Sequence, residues 1–232
     1  MKTISTKDNL QILFEDNHLI VVNKRVGDIV QGDKTGDKPL SDVIKEYIKE
    51  KYQKPGAVFL GVVHRLDRPT SGIVVFAKTS KALTRLNEIF KNRESQKIYW
   101  AVVKGFPELE QNRLIHFLKR NPVNNTSKAY LKAVPESKEA ILDYKIIEKL
   151  NQYSLLEIHL HTGRHHQIRA QLSAIGHPIK GDLKYGFDRS NPDGGIHLHA
   201  RKLSFTHPTT KEVIHFVAPT PSEVIWDKLK NH

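Results

Sequence analysis

Short apolar segments alternate along this chain with longer stretches whose apolar residues recur every three or four positions. The segments 10–14, 19–22, 58–63 and 73–77 are rich in β-branched and aromatic residues, which predicts strands. Between Pro39 and Lys54 the apolar residues have helical spacing, and a second helical stripe follows Thr79, whose hydroxyl can cap a helix. The first part of the chain therefore predicts strands interrupted by two amphipathic helices.

The remaining chain predicts mainly strands. Segments 97–104, 127–134, 140–150 and 153–161 have strand composition, and 201–205 and 212–217 are expected to be closing strands before a short final helix. Residues 164–175 have helical spacing, so we expect a helix that begins at Arg164 and stops at Gly176. This order predicts an α+β fold with a mixed, largely antiparallel sheet. We expect one domain over 1–232, with a core of about 10–218 and no separate N-terminal domain.

The charge of the chain indicates a polyanionic partner. Lys and Arg number 37 against 25 Asp and Glu, a net charge of +12, while the apolar fraction of 38% is that of an ordinary globular protein. The basic excess should therefore lie on a folded surface, where it favours binding to phosphates. Residues 78–104 concentrate it, because they hold seven Lys or Arg and only two acids, Glu88 and Glu94.

Other features of the composition exclude several classes of protein. The chain has no Cys, which excludes disulfides, thiol catalysis and thiolate metal sites and agrees with a reducing compartment. It shows no signal peptide and no apolar run of membrane-spanning length. We therefore expect a cytoplasmic protein that does not enter a membrane and acts as a monomer.

The segment HRLDRPTSG, residues 64–72, is the first candidate for chemistry. It lies between two apolar segments, and Pro69 and Gly72 prevent a continuous strand, so it should form a loop displayed by a rigid scaffold. Taken alone, an Asp beside Pro and Ser is more often a turn residue than a catalyst. The side chains of interest on this loop are His64, Arg65, Asp67, Arg68 and Thr70.

A second cluster, HTGRHHQIRAQL at 161–172, changes this balance. It places Arg164, His165, Gln167 and Arg169 around the start of the expected helix. A guanidinium at that position could reach a carboxylate on a neighbouring loop, keep it ionised and fix its direction. The alternative is a salt bridge at the beginning of the helix with little energetic weight.

The remaining histidines and glycines do not indicate a cofactor. His159, His161, His165 and His166 suggest a metal, but no carboxylate or Cys stands at a matching spacing, so we predict no metal site. The glycines at 27, 32 and 36 are not followed by Gly-Lys-Ser or Gly-Lys-Thr, which argues against a nucleotide cofactor.

Four blocks in fixed order resemble the RluA-type pseudouridine synthases: 64–72, KIYWAVVKG at 97–105, 161–172 and GHPIKGD at 176–182. The resemblance extends over about 10–218. It implies a bent sheet with helices on its outside and a cleft for RNA. It also implies that Asp67 is the catalytic carboxylate, that Arg65 enters the stack left by a flipped uridine, that Tyr99 packs on the target base, and that Arg164 is the basic partner of Asp67.

The resemblance implies isomerisation of uridines in ribosomal or transfer RNA without a cofactor. We expect the substrate to be bound by His64, Arg65, Arg68, Thr70, His165, Gln167 and Arg169. The sequence departs from the family where His165 replaces the Thr of many relatives, and we expect the single catalytic domain to lack the separate N-terminal RNA-binding domain of several relatives. Two alternatives remain open: an RNA-binding protein of the same fold that acts in RNA folding or ribosome assembly, and a metal-dependent hydrolase that uses the His tract.

Overall fold

The computed structural model describes residues 3–33 and 35–229 and has an α+β fold. The chain divides into two compact units, which we call the first unit (Met1–Ser95 with Ala200–Pro221) and the second unit (Gln96–His199 with Ser222–His232). The expectation of one catalytic domain stays a prediction. In chain order the elements are β1 Ile12–Glu15, β2 Leu19–Lys24, α1 Leu40–Lys51, β3 Gly61–Val62, β4 Ser71–Ala77, α2 Ser80–Lys91, β5 Gln96–Lys104, β6 Gln111–Asn121, β7 Thr126–Tyr130, β8 Lys138–Lys149, β9 Tyr153–Leu160, α3 Gln167–Ala174, a 3-10 turn Leu183–Tyr185, β10 Leu198–Thr206, β11 Val213–Val217 and α4 Val224–Lys228.

The strands of the first unit follow the order β1-β2-β4-β10, with β3 also paired to β4 and β11 to β10. The pairings β1–β2, β2–β4, β3–β4 and β10–β11 are antiparallel. Every residue of β2 and β4 is buried, as expected for strands covered on both sides. Helix α2 packs Ala82 and Leu86 into this core, and Thr79 caps it because its hydroxyl accepts the N–H of Ala82.

Gly72 fixes the point where the loop that contains HRLDRPTSG, residues 64–72, joins β4. Its φ is +114°, and a Cβ at this position would lie 2.4 Å from the carbonyl oxygen of Ala200 on β10. No other residue type avoids both the strain and the clash. The last residue of HRLDRPTSG is therefore a steric requirement of the sheet.

A carboxylate that the sequence did not single out joins β1, α1 and the end of β4. Glu15 accepts hydrogen bonds from Tyr47 at 3.0 Å, Lys51 at 2.7 Å, Tyr52 at 2.9 Å and Lys78 at 2.8 Å. Burial by itself raises the pKa of Glu15, but these donors outweigh it and lower the pKa from 4.5 to about 2. The ionised form of Glu15 therefore stabilises the first unit.

This pKa predicts acid sensitivity that depends on one residue. A group whose pKa is depressed on folding stabilises the fold above its unfolded pKa and loses that effect as the pH falls, here from 4.5 towards about 2. Glu15→Gln should be less stable than the wild type at neutral pH, and the difference should close over this interval. Urea unfolding in a pH series measures it. The exposed Glu50→Gln serves as the control, and a difference for Glu15→Gln that is independent of pH would contradict the assignment.

The second unit is an antiparallel sheet in the order β5-β9-β8-β6-β7. One face is covered by α3, whose Ile168 and Leu172 join a buried cluster with residues of β5, β6, β8 and β9. Trp226 of α4 packs against Trp100 and Leu155. The α+β class and the largely antiparallel strand pairing predicted from the sequence are confirmed. None of the described helices has both the length and the apolar character needed to cross a bilayer.

The structure differs from the sequence-based expectations in the following elements. The helix expected from Arg164 begins at Gln167, because His166 has a left-handed backbone with φ of 52°. The strand expected over 58–63 contains only Gly61–Val62. Strand β6 was not predicted, although its buried positions alternate at Leu114, His116 and Leu118.

Candidate active site

In the first unit, the loop that carries Asp67 is held by its backbone. The N–H of Thr70 donates to the carbonyl of Asp67 at 3.0 Å, which closes a turn, and the N–H of Gly27 donates to the carbonyl of Arg68 at 2.9 Å. The ammonium of Lys24, which is only 1% exposed, donates to the carbonyls of Arg68 at 3.2 Å and Arg25 at 2.8 Å. These bonds fix the loop, and the side chain of Asp67 is half-buried.

Lys24 was missed in the sequence. A buried ammonium requires compensation by acceptors, and the carbonyls of Arg25 and Arg68 contribute to it here. The available signal was a Lys at the end of the otherwise apolar run LIVVN. Its position shows how β2 supports the candidate active-site loop.

His64 has a structural position on this loop. Its Nε2 accepts the N–H of Val75 at 3.1 Å, and its ring stacks on Phe90 with a centroid distance of 5.0 Å. A ring nitrogen that accepts a hydrogen bond carries no proton. This bond ties the ring of His64 to the backbone of β4 and so orients the loop. Thr70 is 2% exposed, and its hydroxyl has no hydrogen-bond partner within residues 3–33 and 35–229.

The two arginines that flank Leu66 and Asp67 differ in their surroundings. Arg65 is exposed, as an RNA contact requires. Arg68 is held by two polar side chains: its guanidinium bonds the carboxylate of Asp37 at 2.6 Å and the hydroxyl of Thr35 at 2.8 Å. The substrate contacts expected for His64, Arg65, Arg68 and Thr70 stay predictions.

In the second unit, residues 162–166 form a turn organised by Gln167. Its side-chain oxygen accepts from the hydroxyl of Thr162 at 2.8 Å and from the N–H of Arg164 at 3.0 Å, and its amide donates to Ile141 at 3.1 Å. The Nε of Arg164 donates to the carbonyl of Glu139 at 2.9 Å. Gln167 is 3% exposed and so has a structural role in this turn.

His165 and His166 form hydrogen bonds with neighbouring elements. The rings of His165 and His166 stack at 3.8 Å, Ser127 of β7 bonds the Nδ1 of His165 at 2.9 Å, and the hydroxyl of Tyr185 bonds the Nδ1 of His166 at 2.8 Å. Within the described residues no three His, Cys, Asp or Glu side chains are grouped so that they could hold a metal ion.

Arg169 and Asp182 form a buried pair. The Nε and Nη2 of Arg169 lie 2.7 and 2.8 Å from the two carboxylate oxygens of Asp182, and the side chains are 6% and 1% exposed. The guanidinium also lies 4.9 Å from the ring centroid of Tyr185. This pair links α3 to the turn at 181–187. It joins two of the sequence blocks, because Arg169 is the last residue of HQIR and Asp182 the last residue of KGD. A substrate contact by Arg169 stays a prediction.

Tyr99 lies on β5, paired with Ile158 of β9, and is half-buried against the core of the second unit. The first unit thus collects His64, Arg65, Asp67, Arg68 and Thr70 on one loop. The second unit collects Arg164, His165, Gln167 and Arg169 around one turn. A pair between Asp67 and Arg164 involves residues of both units and stays a prediction.

The family model described as RNA pseudouridylate synthase matches residues 18–174. A Chlorobaculum parvum protein named "Uncharacterized RNA pseudouridine synthase" is 35% identical over 95% of this chain and 74% of its own length. The ribosomal large subunit pseudouridine synthase D of Nitrosomonas europaea is 35% identical over 93% of this chain, which spans 63% of that protein. The solved structure of Human RNA Pseudouridylate Synthase Domain Containing 4 aligns with a TM-score of 0.77 and 23% identity, covering 95% of this chain and 92% of that chain. This last similarity concerns the fold.

Proposed function

The chain belongs to the RNA pseudouridylate synthase family, which makes it an isomerase, and we propose that Asp67 is the carboxylate with which it converts uridine to pseudouridine. The observation that carries this assignment is the loop on which Asp67 lies. Its backbone is anchored by Lys24, Gly27 and Thr70, so a half-buried carboxylate is displayed in a fixed position beside an exposed Arg65. Such pre-organisation is what a nucleophile or general base requires.

The reaction needs few chemical groups. The bond between the ribose carbon and the base nitrogen breaks, the uracil turns, and the same ribose carbon is joined to carbon 5, whose proton is released while the nitrogen gains one. Atoms and electrons balance without an oxidant or an added group. Asp67 serves as nucleophile or base in these reaction steps, within a pocket that receives a flipped nucleotide.

Three other side chains complete the proposal. Arg164 is the basic partner that keeps Asp67 ionised, and the ring of Tyr99 retains the detached uracil. Arg65 enters the stack that the uridine leaves. His165, the neighbour of Arg164 in the chain, is proposed to contact the substrate, and its ring is held by a hydrogen bond with Ser127 at 2.9 Å.

The substrate that we propose is structured ribosomal RNA, and the protein is proposed to act in the cytoplasm as a monomer. The relatives from Nitrosomonas europaea and Zymomonas mobilis are named as synthases of the large ribosomal subunit. The net charge of +12 supplies attraction to phosphates. Transfer RNA is the alternative substrate.

Pseudouridine mapping across all RNAs of a strain that lacks this chain tests the proposal. We expect at least one site in ribosomal RNA to disappear, and the site should return with a plasmid copy of the wild type and not with Asp67→Asn. Loss of a site in transfer RNA alone would replace the proposed substrate. A map that is unchanged by the deletion would refute the function.

A further inference from the structure

The hairpin formed by β6 and β7 has two different faces. Leu118 and Ala129 belong to a buried cluster with Ala170 of α3. On the opposite face, Phe117 pairs directly with Tyr130 and Lys119 with Lys128. Side chains paired across strands point to the same side of a sheet, so these two pairs form one patch. We call Phe117, Lys119, Lys128 and Tyr130 the hairpin patch; Lys128 is exposed and the other three are partly exposed.

The two lysines of the hairpin patch are unfavourable for folding. Like charges directly opposite each other on neighbouring strands destabilise the pairing. Lys119 is partly compensated by Glu136 at 3.0 Å, while the ammonium of Lys128 lies 5.3 Å from the ring centroid of Tyr130. Residues 117–138 contain five Lys or Arg, and Glu136 is the one acid among them. The next acid, Glu139 of β8, is paired with Phe117. A polyanion would relieve this repulsion.

The same hairpin exposes apolar surface at both ends of β7. Val123 is 94% exposed and Leu131 is 81% exposed, the highest values among the large apolar side chains that the structure describes. The tip around Val123 is stiffened, because Asn121 accepts the N–H of Val123 at 3.0 Å and Asn124 accepts the hydroxyl of Thr126 at 2.6 Å. A rigid apolar tip in a basic hairpin is arranged for contact with another molecule.

We propose that the hairpin patch and Val123 bind unpaired nucleotides of RNA, with Lys119 and Lys128 on phosphates and Tyr130 and Phe117 against bases. Aromatic faces interleaved with cations suit single strands, because every unpaired base offers a π-face and every nucleotide a phosphate. A double helix offers phosphates but no free base faces. The proposal rests on the proposed function to the extent that the bound strand flanks the target uridine of the substrate RNA.

Binding of two fluorescent RNAs tests it: a single-stranded oligocytidylate and a duplex of the same length built from guanosine and cytidine. Neither contains uridine, so no modification occurs during the measurement. Replacing two phosphate contacts in Lys119→Gln/Lys128→Gln should reduce the slope of log affinity against log salt for the single strand by about 1.4, at about 0.7 per contact. Tyr130→Leu, which keeps an apolar side chain, should weaken single-strand binding about 5-fold or more and leave duplex binding unchanged.

The matched control is Lys7→Gln/Lys38→Gln, which removes the same charge from lysines already paired with Glu50 and Glu46. A salt slope for Lys119→Gln/Lys128→Gln equal to that of the control would overturn the proposal. So would a Tyr130→Leu variant that loses duplex and single-strand affinity equally. Circular dichroism verifies that each variant folds, and if Tyr130→Leu does not, the lysine pair decides.

The two proposals fail separately. Wild-type protein that forms no pseudouridine in ribosomal or transfer RNA would refute the proposed function, whatever the oligocytidylate shows. Active wild-type protein whose binding to oligocytidylate is unaffected by the hairpin variants would refute the role of the hairpin alone.

Discussion

Asp67→Asn is expected to reduce pseudouridine formation by a factor of about 10² to 10⁴, the range for loss of an acid–base group, or by more if the carboxylate is a nucleophile. The amide has nearly the same size as the carboxylate, and the turn at Asp67 is closed through its backbone carbonyl, so the loop should persist. What is lost is the charge that reacts. Release of tritium from RNA labelled at carbon 5 of uridine measures the rate.

The control for this variant is Asp42→Asn, the same substitution at a half-exposed position of α1 that pairs with Lys45 at 3.1 Å. It should have the wild-type rate. Asp67→Asn should also retain much of the RNA affinity, since phosphate contacts supply most of it. A rate for Asp67→Asn above about one hundredth of the wild type would count against Asp67 as the catalytic group.

The elements that could be predicted from the sequence are those that are buried along their whole length or whose ends are fixed by local hydrogen bonds. Strands β2 and β4 are buried along their whole length, so their continuous apolar runs indicate strands without knowledge of the fold. The cap of α2 at Thr79 is local, because a hydroxyl and the N–H of Ala82 decide it. The four blocks of family resemblance identified the fold, since they extend over both units.

The elements that could not be predicted depend on distant contacts. Helix α3 begins three residues later than expected because Gln167 bonds Thr162 and Ile141, which holds residues 162–166 as a turn. Strand β6 contains a buried His116, whose partner is Gln171 on α3 at 3.1 Å. Histidine in a core position gives no apolar signal, so the alternation of this strand was incomplete in the sequence.

The candidate site shows the same division. Asp67 and Arg65 could be identified from a motif, because a carboxylate and a guanidinium can be recognised from the residue types alone. The residues that support the loop could not be identified in this way: Lys24 is of a type that is almost never fully buried, and its hydrogen bonds to the carbonyls of Arg25 and Arg68 exist only in the folded chain. The buried pair of Arg169 with Asp182 could not be predicted either, because nothing in the sequence shows that Asp182 lies beside Arg169.

Arg169→Met is expected to lower the free energy of unfolding by about 3–5 kcal/mol, the cost of leaving one partner of a buried ion pair alone. Asp182 is 1% exposed, so its carboxylate would remain in the interior without its two hydrogen bonds. The substitution also removes the cation from the face of Tyr185, whose hydroxyl bonds His166. Urea unfolding measures the loss.

Arg113 and Asp143 provide the matched control, because they form the same two-bonded pair, at 2.6 and 2.8 Å, on the surface. Their side chains are 59% and 33% exposed, so water replaces the lost bonds, and Arg113→Met should cost much less stability than Arg169→Met. In Arg169→Met/Asp182→Leu both charges are absent and much of the stability should return, since hydrophobic replacement of a buried pair is often close to neutral. Equal losses for Arg169→Met and Arg113→Met would show that burial does not determine the strength of this pair. If the double variant regains stability but not activity, Arg169 contributes to the reaction beyond its part in stability, as its predicted substrate contact requires.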